Sequence, residues 1–122
     1  MILADTSVWV DYLRSGDPEL QMFLLNGQVL LHPCVAAELA LGSLRNRHAT
    51  LAKLDAMPQA RVIVLQHIRH MVEERALFSK GIGLTDAHLV ASCLITTGMK
   101  LWTRDTALKS VAQALGVDAG LP

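Results

Sequence analysis

The chain begins Met1-Ile2-Leu3-Ala4-Asp5-Thr6-Ser7-Val8-Trp9-Val10, and this stretch decides the fold. A short uncharged apolar run that ends in a carboxylate and then turns helical is typical of the first buried strand of a parallel sheet. Asp5 then lies at the carboxyl end of that strand, where open α/β sheets bind their ligands. The other interpretation is that Asp5 only caps the following helix, because Asp is a good N-cap residue. The first stretch alone leaves both interpretations open.

The composition predicts one globular domain spanning residues 1–122. Of these residues, 52% are hydrophobic and 18% are charged, which excludes general disorder. Only 4% are aromatic, so we expect a core of aliphatic side chains, as in helices packed on a small sheet. The 11 basic and 11 acidic residues give a formal charge of zero, which does not by itself indicate a nucleic-acid partner.

No stretch has the pattern of a membrane span or a secretory signal. The longest uncharged run, residues 20–37, is broken by an Asn-Gly pair and by a proline. Asp5 interrupts the amino terminus before an apolar signal region develops. We therefore expect a cytoplasmic protein that makes no membrane contact. Cys34 and Cys93 lie in apolar helical surroundings and predict neither a disulfide framework nor a metal site.

The rest of the chain alternates short apolar strands with amphipathic helices. The further predicted strands are Val29–Leu31, Arg61–Leu65 and Lys100–Thr103, and residues 116–122 are expected to be an edge strand or an irregular cover. The first predicted helix begins immediately after Asp5 and stops at Ser15. The next cover residues 18–25, 34–41, 44–56, 68–79 and 86–97, and the last carries Leu108, Val111, Ala112 and Leu115. This alternation predicts an α/β fold with a mainly parallel sheet and helices on both of its faces.

Glu38 is the only charged residue in the apolar helix 34–41. Because a helix that is apolar nearly all round is packed on several sides, we expect this carboxylate to be buried. A buried carboxylate needs a partner or a cation. The structural alternative to a functional role is an ion pair with Arg45 or Arg47.

Four carboxylates are predicted to converge on one groove: Asp5, Asp86 and Asp105 at the carboxyl edge of the sheet, and Glu38 on a helix that leaves the same edge. At an assumed separation of ~5 Å and an effective dielectric of ~20, each ionised pair repels by about 3 kcal/mol. Protonation of some acids relieves this repulsion, and so does Mg²⁺ or Mn²⁺, which prefers oxygen ligands. Such an ion activates water for phosphodiester hydrolysis. No Ser-His-Asp, Cys-His or zinc spacing competes with this interpretation.

Four segments together resemble the PIN-domain ribonucleases, and in particular the VapC toxins of bacterial toxin-antitoxin pairs. They are ILADTSVW at 2–9, AELALG at 37–42, GLTDAHLVA at 83–91 and LWTRD at 101–105. The resemblance covers essentially the whole chain in order. It implies a three-layer α/β/α sandwich and a Mg²⁺- or Mn²⁺-dependent endoribonuclease whose products carry a 5′-phosphate and a 3′-hydroxyl.

The same resemblance implies roles for individual residues and partners. The acidic metal-binding and catalytic residues are Asp5, Glu38, Asp86 and Asp105, with Thr6, Ser7 and Thr103 supporting them. The scattered basic residues expected to govern RNA choice include Arg14, Arg45, Arg47 and Arg104. The expected partners are RNA, a VapB-type antitoxin whose segment lies across the acidic groove, and a second copy in a homodimer. Helix 34–41 and the stripe 20–25 are the expected contact surfaces.

Two other functions fit parts of the sequence. A phosphoryl-transfer domain forms an aspartyl-phosphate on an acid after a strand. Asp5-Thr6-Ser7 lacks the second Asp that haloacid-dehalogenase-like proteins place two residues on, and this function does not explain Asp105. A PIN-like module that binds RNA or protein without cutting keeps the fold but need not keep all four acids. We therefore favour the nuclease.

Overall fold

The sheet consists of three parallel strands. The computed structural model describes residues 1–122, with β1 (Ile2–Ala4) in the centre, β2 (Val29–Leu30) on one side and β3 (Lys100–Trp102) on the other. Ala4 pairs with Trp102, so the carboxyl ends of β1 and β3 are level with each other. The residues that follow these two strands are therefore neighbours, although they are far apart in sequence.

Seven helices surround this sheet. They are α1 (Thr6–Ser15), α2 (Pro18–Leu25), α3 (Pro33–Leu41), α4 (Arg47–Asp55), α5 (Leu65–Glu74), α6 (Leu84–Ile95) and α7 (Thr106–Ala114). The connection from β1 to β2 and that from β2 to β3 run in opposite directions across the sheet. Because crossovers between parallel strands are right-handed, they place helices on both faces. The result is the predicted α/β/α arrangement.

Local sequence explains how two of these helices begin. At α2, the Asp17 side chain accepts hydrogen bonds from the backbone N–H groups of Glu19 and Leu20, and proline occupies the first helical position. At α3, the His32 ring caps the helix by accepting from the Cys34 N–H, and proline again comes first. Proline suits this position because its fixed φ matches the helix and no hydrogen bond is lost.

The core lies between the sheet and the helices. Leu3 and Leu101 of the strands are fully buried, and they pack with apolar side chains from most helices into one cluster. Helix α6 is buried at every position from Ala87 to Cys93, which makes it the central helix of the fold. None of the helices combines the length and apolar composition that crossing a bilayer requires.

The prediction of a strand at Arg61–Leu65 is wrong. Residues 61–64 form no strand, and Leu65 is already the first residue of α5. The sheet-like pairing occurs earlier, where Gln59 forms an isolated parallel bridge with Leu31. Ile63 packs against a small second cluster formed by α5 and α6, while its neighbours on both sides are exposed. The apolar run therefore connects two elements and is not itself a buried strand.

Several boundaries also differ from the prediction. Helix α4 starts at Arg47 and not at residue 44, and α5 covers Leu65–Glu74 and not 68–79. The carboxyl-terminal tail touches the sheet through one parallel bridge between Leu101 and Asp118. It is therefore an irregular cover with a single strand-like contact, one of the two expected forms.

Candidate active site

Asp5 lies directly after β1, and its side chain is only 5% exposed. It occupies the N-cap position of α1, yet its carboxylate makes no capping hydrogen bond. One carboxylate oxygen, Oδ2, instead accepts hydrogen bonds from Ser7 Oγ at 3.0 Å and Thr103 Oγ1 at 2.5 Å. The carboxylate is therefore fixed by two hydroxyl groups, and its Oδ1 accepts no hydrogen bond from the protein.

Thr103 and Ser7 also join Asp5 to the backbone after β3. Thr103 Oγ1 accepts from the Asp105 N–H at 3.0 Å, and Ser7 Oγ accepts from the Arg104 N–H at 3.1 Å. Each hydroxyl thus accepts a hydrogen bond from a backbone N–H in the loop after β3 and donates a hydrogen bond to the Asp5 carboxylate. A hydroxyl suits this position because it is both donor and acceptor.

Glu38 is exposed, so the prediction that it is buried is wrong. Helix α3 presents this face to an open groove. Thr6 Oγ1 donates to Glu38 Oε1 at 2.5 Å, and neither Arg45 nor Arg47 forms an ion pair with it. Its other oxygen, Oε2, has no hydrogen-bond donor in the protein. The ion-pair alternative therefore does not occur.

Asp86 lies in the first turn of α6 and is partly buried. Its Oδ2 accepts the Gly83 N–H at 3.1 Å. Burial raises the pKa of this carboxyl above its ordinary value, the Gly83 hydrogen bond partly opposes the rise, and the charges of Asp5, Asp105 and Glu38 raise it further. Asp86 is therefore close enough to the other three predicted acids for their charges to act on it.

Asp105 is exposed and caps α7, because its Oδ1 accepts the Leu108 N–H at 2.9 Å. This capping hydrogen bond is a structural role in itself. It uses only one oxygen, and Oδ2 accepts no hydrogen bond from the protein. Like Asp5, Glu38 and Asp86, Asp105 therefore accepts hydrogen bonds through only one of its two carboxylate oxygens.

The shared arrangement suits a hard cation. Each of the four carboxylates uses one oxygen for a hydrogen bond within the protein and leaves the second without a protein donor. Nitrogen and sulfur ligands are absent from this set, and Mg²⁺ and Mn²⁺ favour oxygen donors. A divalent cation bound at these acids would offset the nearby negative charges that, after burial, raise the pKa of Asp86.

The four arginines that were expected to contact RNA differ in their surroundings. Arg104 forms ion pairs with Asp11 and Asp17, and its guanidinium lies 5.3 Å from the centre of the Trp102 ring. Asp11 is therefore paired and is not a free surface charge. The Asp17 pKa is lowered, first by its hydrogen bond with Arg104, so this acid remains ionised near neutral pH.

Arg47 is also engaged. Its guanidinium donates to the backbone carbonyls of Ala40 at 2.6 Å and Gly42 at 3.2 Å, where α3 ends. Arg14 and Arg45 remain exposed, and neither guanidinium takes part in an ion pair. Two of the four predicted arginines thus have structural partners, and two are free.

One buried polar cluster was missed at the start of α3. His88 is only 7% exposed and lies against His32, with ring centres 5.7 Å apart. Both rings and the Cys34 sulfur offer ligand atoms within 4.8 Å of one another. His32 Nδ1, however, accepts the Cys34 N–H at 3.0 Å, which leaves the ring proton of the neutral form on Nε2.

That tautomer has no free lone pair for a metal, so the cluster is a helix cap packed on a second histidine. Burial, followed by the nearby His88, lowers the pKa of His32 to about 4. The ring is therefore neutral at physiological pH. The sequence signal for this cap is the His-Pro pair at residues 32 and 33, which precedes an apolar helix.

Comparison with known proteins identifies the family of this chain. The family model described as PIN domain matches residues 2–114. Ribonuclease VapC32 of Mycobacterium tuberculosis strain CDC 1551 / Oshkosh is 39% identical over 117 residues, which cover 96% of this chain and 94% of the relative. The protein of the same name from strain ATCC 25618 / H37Rv has the same identity and coverage. The resemblance predicted from the sequence is confirmed, and the chain belongs to the PIN-domain family as a VapC-type member.

Proposed function

We propose that this protein is a Mg²⁺- or Mn²⁺-dependent endoribonuclease and the toxin of a toxin-antitoxin pair. The observation that carries the proposal is the set of four carboxylates that each keep one oxygen free of protein hydrogen bonds. The name of the relatives, Ribonuclease VapC32, supports RNA as the substrate. In this proposal Asp5, Glu38, Asp86 and Asp105 are the metal-binding and catalytic residues.

The protein contributes a preformed arrangement of charge. Asp5, Glu38, Asp86 and Asp105 would hold the ion, which would supply activation of water and stabilisation of negative charge on the phosphate. Ser7 and Thr103 hold Asp5 in one orientation, and Thr6 does the same for Glu38. The positive end of the α6 dipole favours the ionised form of Asp86. It therefore opposes the rise in the Asp86 pKa that burial causes. Such fixed groups need not reorganise during the reaction.

The proposed partners follow from the family and the exposed surface. They are an RNA substrate, a VapB-type antitoxin and a second copy of the chain, with the protein acting in the cytoplasm. Of the two expected contact surfaces, Leu41 at the end of α3 is 87% exposed, and Leu25 and Met22 of α2 are 75% and 63% exposed. Exposed apolar side chains of this size favour protein contact at these helices.

The experiment incubates 5′-labelled single-stranded RNA with the purified protein in Mg²⁺ or Mn²⁺. We expect cleavage that EDTA abolishes and that added metal restores, with 5′-phosphate ends on the downstream products. Asp5→Asn should bind RNA but not cut it. Cleavage that persists in EDTA would contradict the proposal. Absence of both cleavage and Mn²⁺ binding by calorimetry would instead favour a non-catalytic PIN-like module.

A further inference from the structure

A groove of about 320 Å³ lies beside the acidic site. Helix α1 and the segment from α3 to α4 form its walls, and Glu38 belongs to both the groove and the acidic site. The charged lining residues besides Glu38 are Arg14 and Arg45, and the apolar lining residues are Val10, Leu13, Leu39 and Leu44. We call this feature the Arg14–Arg45 groove.

Arg14 and Arg45 both line the groove, and both are exposed. Neither forms an ion pair, although Glu38 lines the same groove. Glu38 accepts from Thr6 instead. Two arginines that have no ion-pair partner therefore line one groove. A guanidinium binds phosphate through a planar pair of N–H donors, which makes these two groups suited to an RNA backbone.

An acidic nuclease site needs such cations. Four carboxylates repel a polyanion, and the chain as a whole has a formal charge of zero. Affinity for RNA must therefore come from cations near the acids. Arg47 and Arg104 are held by carbonyl groups and by carboxylates, respectively, and this leaves Arg14 and Arg45 as the free arginines at the edge of the site.

Resting on the proposed function, we propose that the Arg14–Arg45 groove binds the nucleotide next to the scissile phosphate of single-stranded RNA. Arg14 and Arg45 hold backbone phosphate, and the apolar wall of Leu13 and Leu44 packs against the base or ribose. The volume lies at the small end of the range for ligand pockets and suits one nucleotide. Proteins read single-stranded RNA through such unstacked nucleotides.

The first test measures RNA binding separately from cleavage. An Asp5→Asn background prevents cutting, and a fluorescent single-stranded RNA of mixed sequence is titrated at several salt concentrations. Arg14→Ala and Arg45→Ala should each weaken binding about 10-fold, the effect of losing one charge-assisted hydrogen bond. Each should also reduce the slope of log affinity against log salt by ~0.7, the value for one phosphate contact on a single strand. Arg61→Ala, an exposed arginine that lines a different pocket, is the matched control.

The second test measures cleavage in the otherwise unaltered protein. Arg14→Ala and Arg45→Ala should raise KM about 10-fold and lower kcat by a smaller factor, because the groove holds a neighbouring nucleotide and not the reacting phosphate. Thermal unfolding midpoints verify that the variants are folded. If the wild type cleaves RNA while both variants match Arg61→Ala in KM and salt slope, the groove proposal is wrong and the proposed function stands. If the wild type does not cleave RNA at all, the proposed function fails first.

Discussion

Thr103 Oγ1 donates to Asp5 Oδ2 at 2.5 Å, although the two residues are 98 positions apart. The register of the sheet causes this contact, because Ala4 pairs with Trp102 and the next residue on each strand faces the other. Both side chains are buried. The orientation of the first acid of the site therefore depends on the last strand of the sheet.

Replacing Thr103 should weaken both the site and the fold. Thr103→Val preserves shape but removes the donor to Asp5 and the acceptor for the Asp105 N–H. We expect the free energy of unfolding to fall by about 1–3 kcal/mol, since buried polar groups lose their partners. RNA cleavage should fall about 10-fold, and Thr103→Ser should restore most of it. Urea unfolding and kcat/KM measure the two effects, and wild-type cleavage by Thr103→Val would show that this hydroxyl does not position Asp5.

Replacing Glu38 should separate activity from stability. Because Glu38 is exposed and makes a single hydrogen bond, Glu38→Gln should change the free energy of unfolding by less than about 0.5 kcal/mol. RNA cleavage should fall about 100-fold, as expected when a preorganised charge is removed from a nuclease site. Glu73→Gln, an exposed acid on α5, is the control and should cleave normally. Equal activity of the two variants would remove Glu38 from the site.

The ion pairs of Arg104 should contribute to stability in a pH-dependent way. The pKa of Asp17 is lowered by its hydrogen bond with Arg104, so this contribution is complete above the ordinary Asp value and is lost as pH falls through the lowered value. Arg104→Leu should lower the free energy of unfolding by about 1–2 kcal/mol at pH 7 and by less at pH 3. Urea unfolding at the two pH values measures this difference. The RNA affinity of Arg104→Leu should remain close to that of the wild type, unlike Arg14→Ala. An equal cost at both pH values would contradict the ionic origin.

His32 should make the fold sensitive to acid. Its pKa in the folded state is lowered to about 4 from 6.5, so the unfolded chain binds more protons between these values. The contribution of His32 to the free energy of unfolding is complete above pH 6.5, and it falls by about 1.4 kcal/mol per pH unit as the pH decreases to about 4. His32→Asn keeps a side chain that can cap α3 but does not titrate, so its stability should fall less over this range. His48→Asn, at an exposed position, should behave like the wild type. Identical pH profiles for His32→Asn and the wild type would show that burial of this ring does not control acid stability.

The sequence predicts the parts of the fold that depend on local pattern. The apolar run before Asp5 and the run before Thr103 are strands in the structure, and an apolar helix covers the predicted residues 34–41. Asp5 and Asp105 follow two neighbouring parallel strands, β1 and β3, as the sequence predicts. These features follow from chain direction and periodicity, which are visible without tertiary contacts.

Other features depend on contacts that no local pattern contains. Arg61–Leu65 has the composition of a buried strand, but the chain pairs with the residue just after β2 two residues earlier, through the bridge between Gln59 and Leu31. His88 lies off the apolar stripe of α6, yet α6 is buried on that side as well. The pairs that Arg104 makes with Asp11 and Asp17 join distant segments, and for this reason a spacing rule does not find them.

Metal-dependent cleavage by matched variants tests the central claim most directly. The wild type and Asp86→Asn, both verified as folded by circular dichroism, are incubated with 5′-labelled single-stranded RNA across a range of Mn²⁺ concentrations. We predict saturable, Mn²⁺-dependent cleavage by the wild type and a loss of at least about 100-fold in Asp86→Asn. Equal cleavage by the two proteins, or cleavage by the wild type that does not depend on Mn²⁺, would contradict the four-carboxylate site.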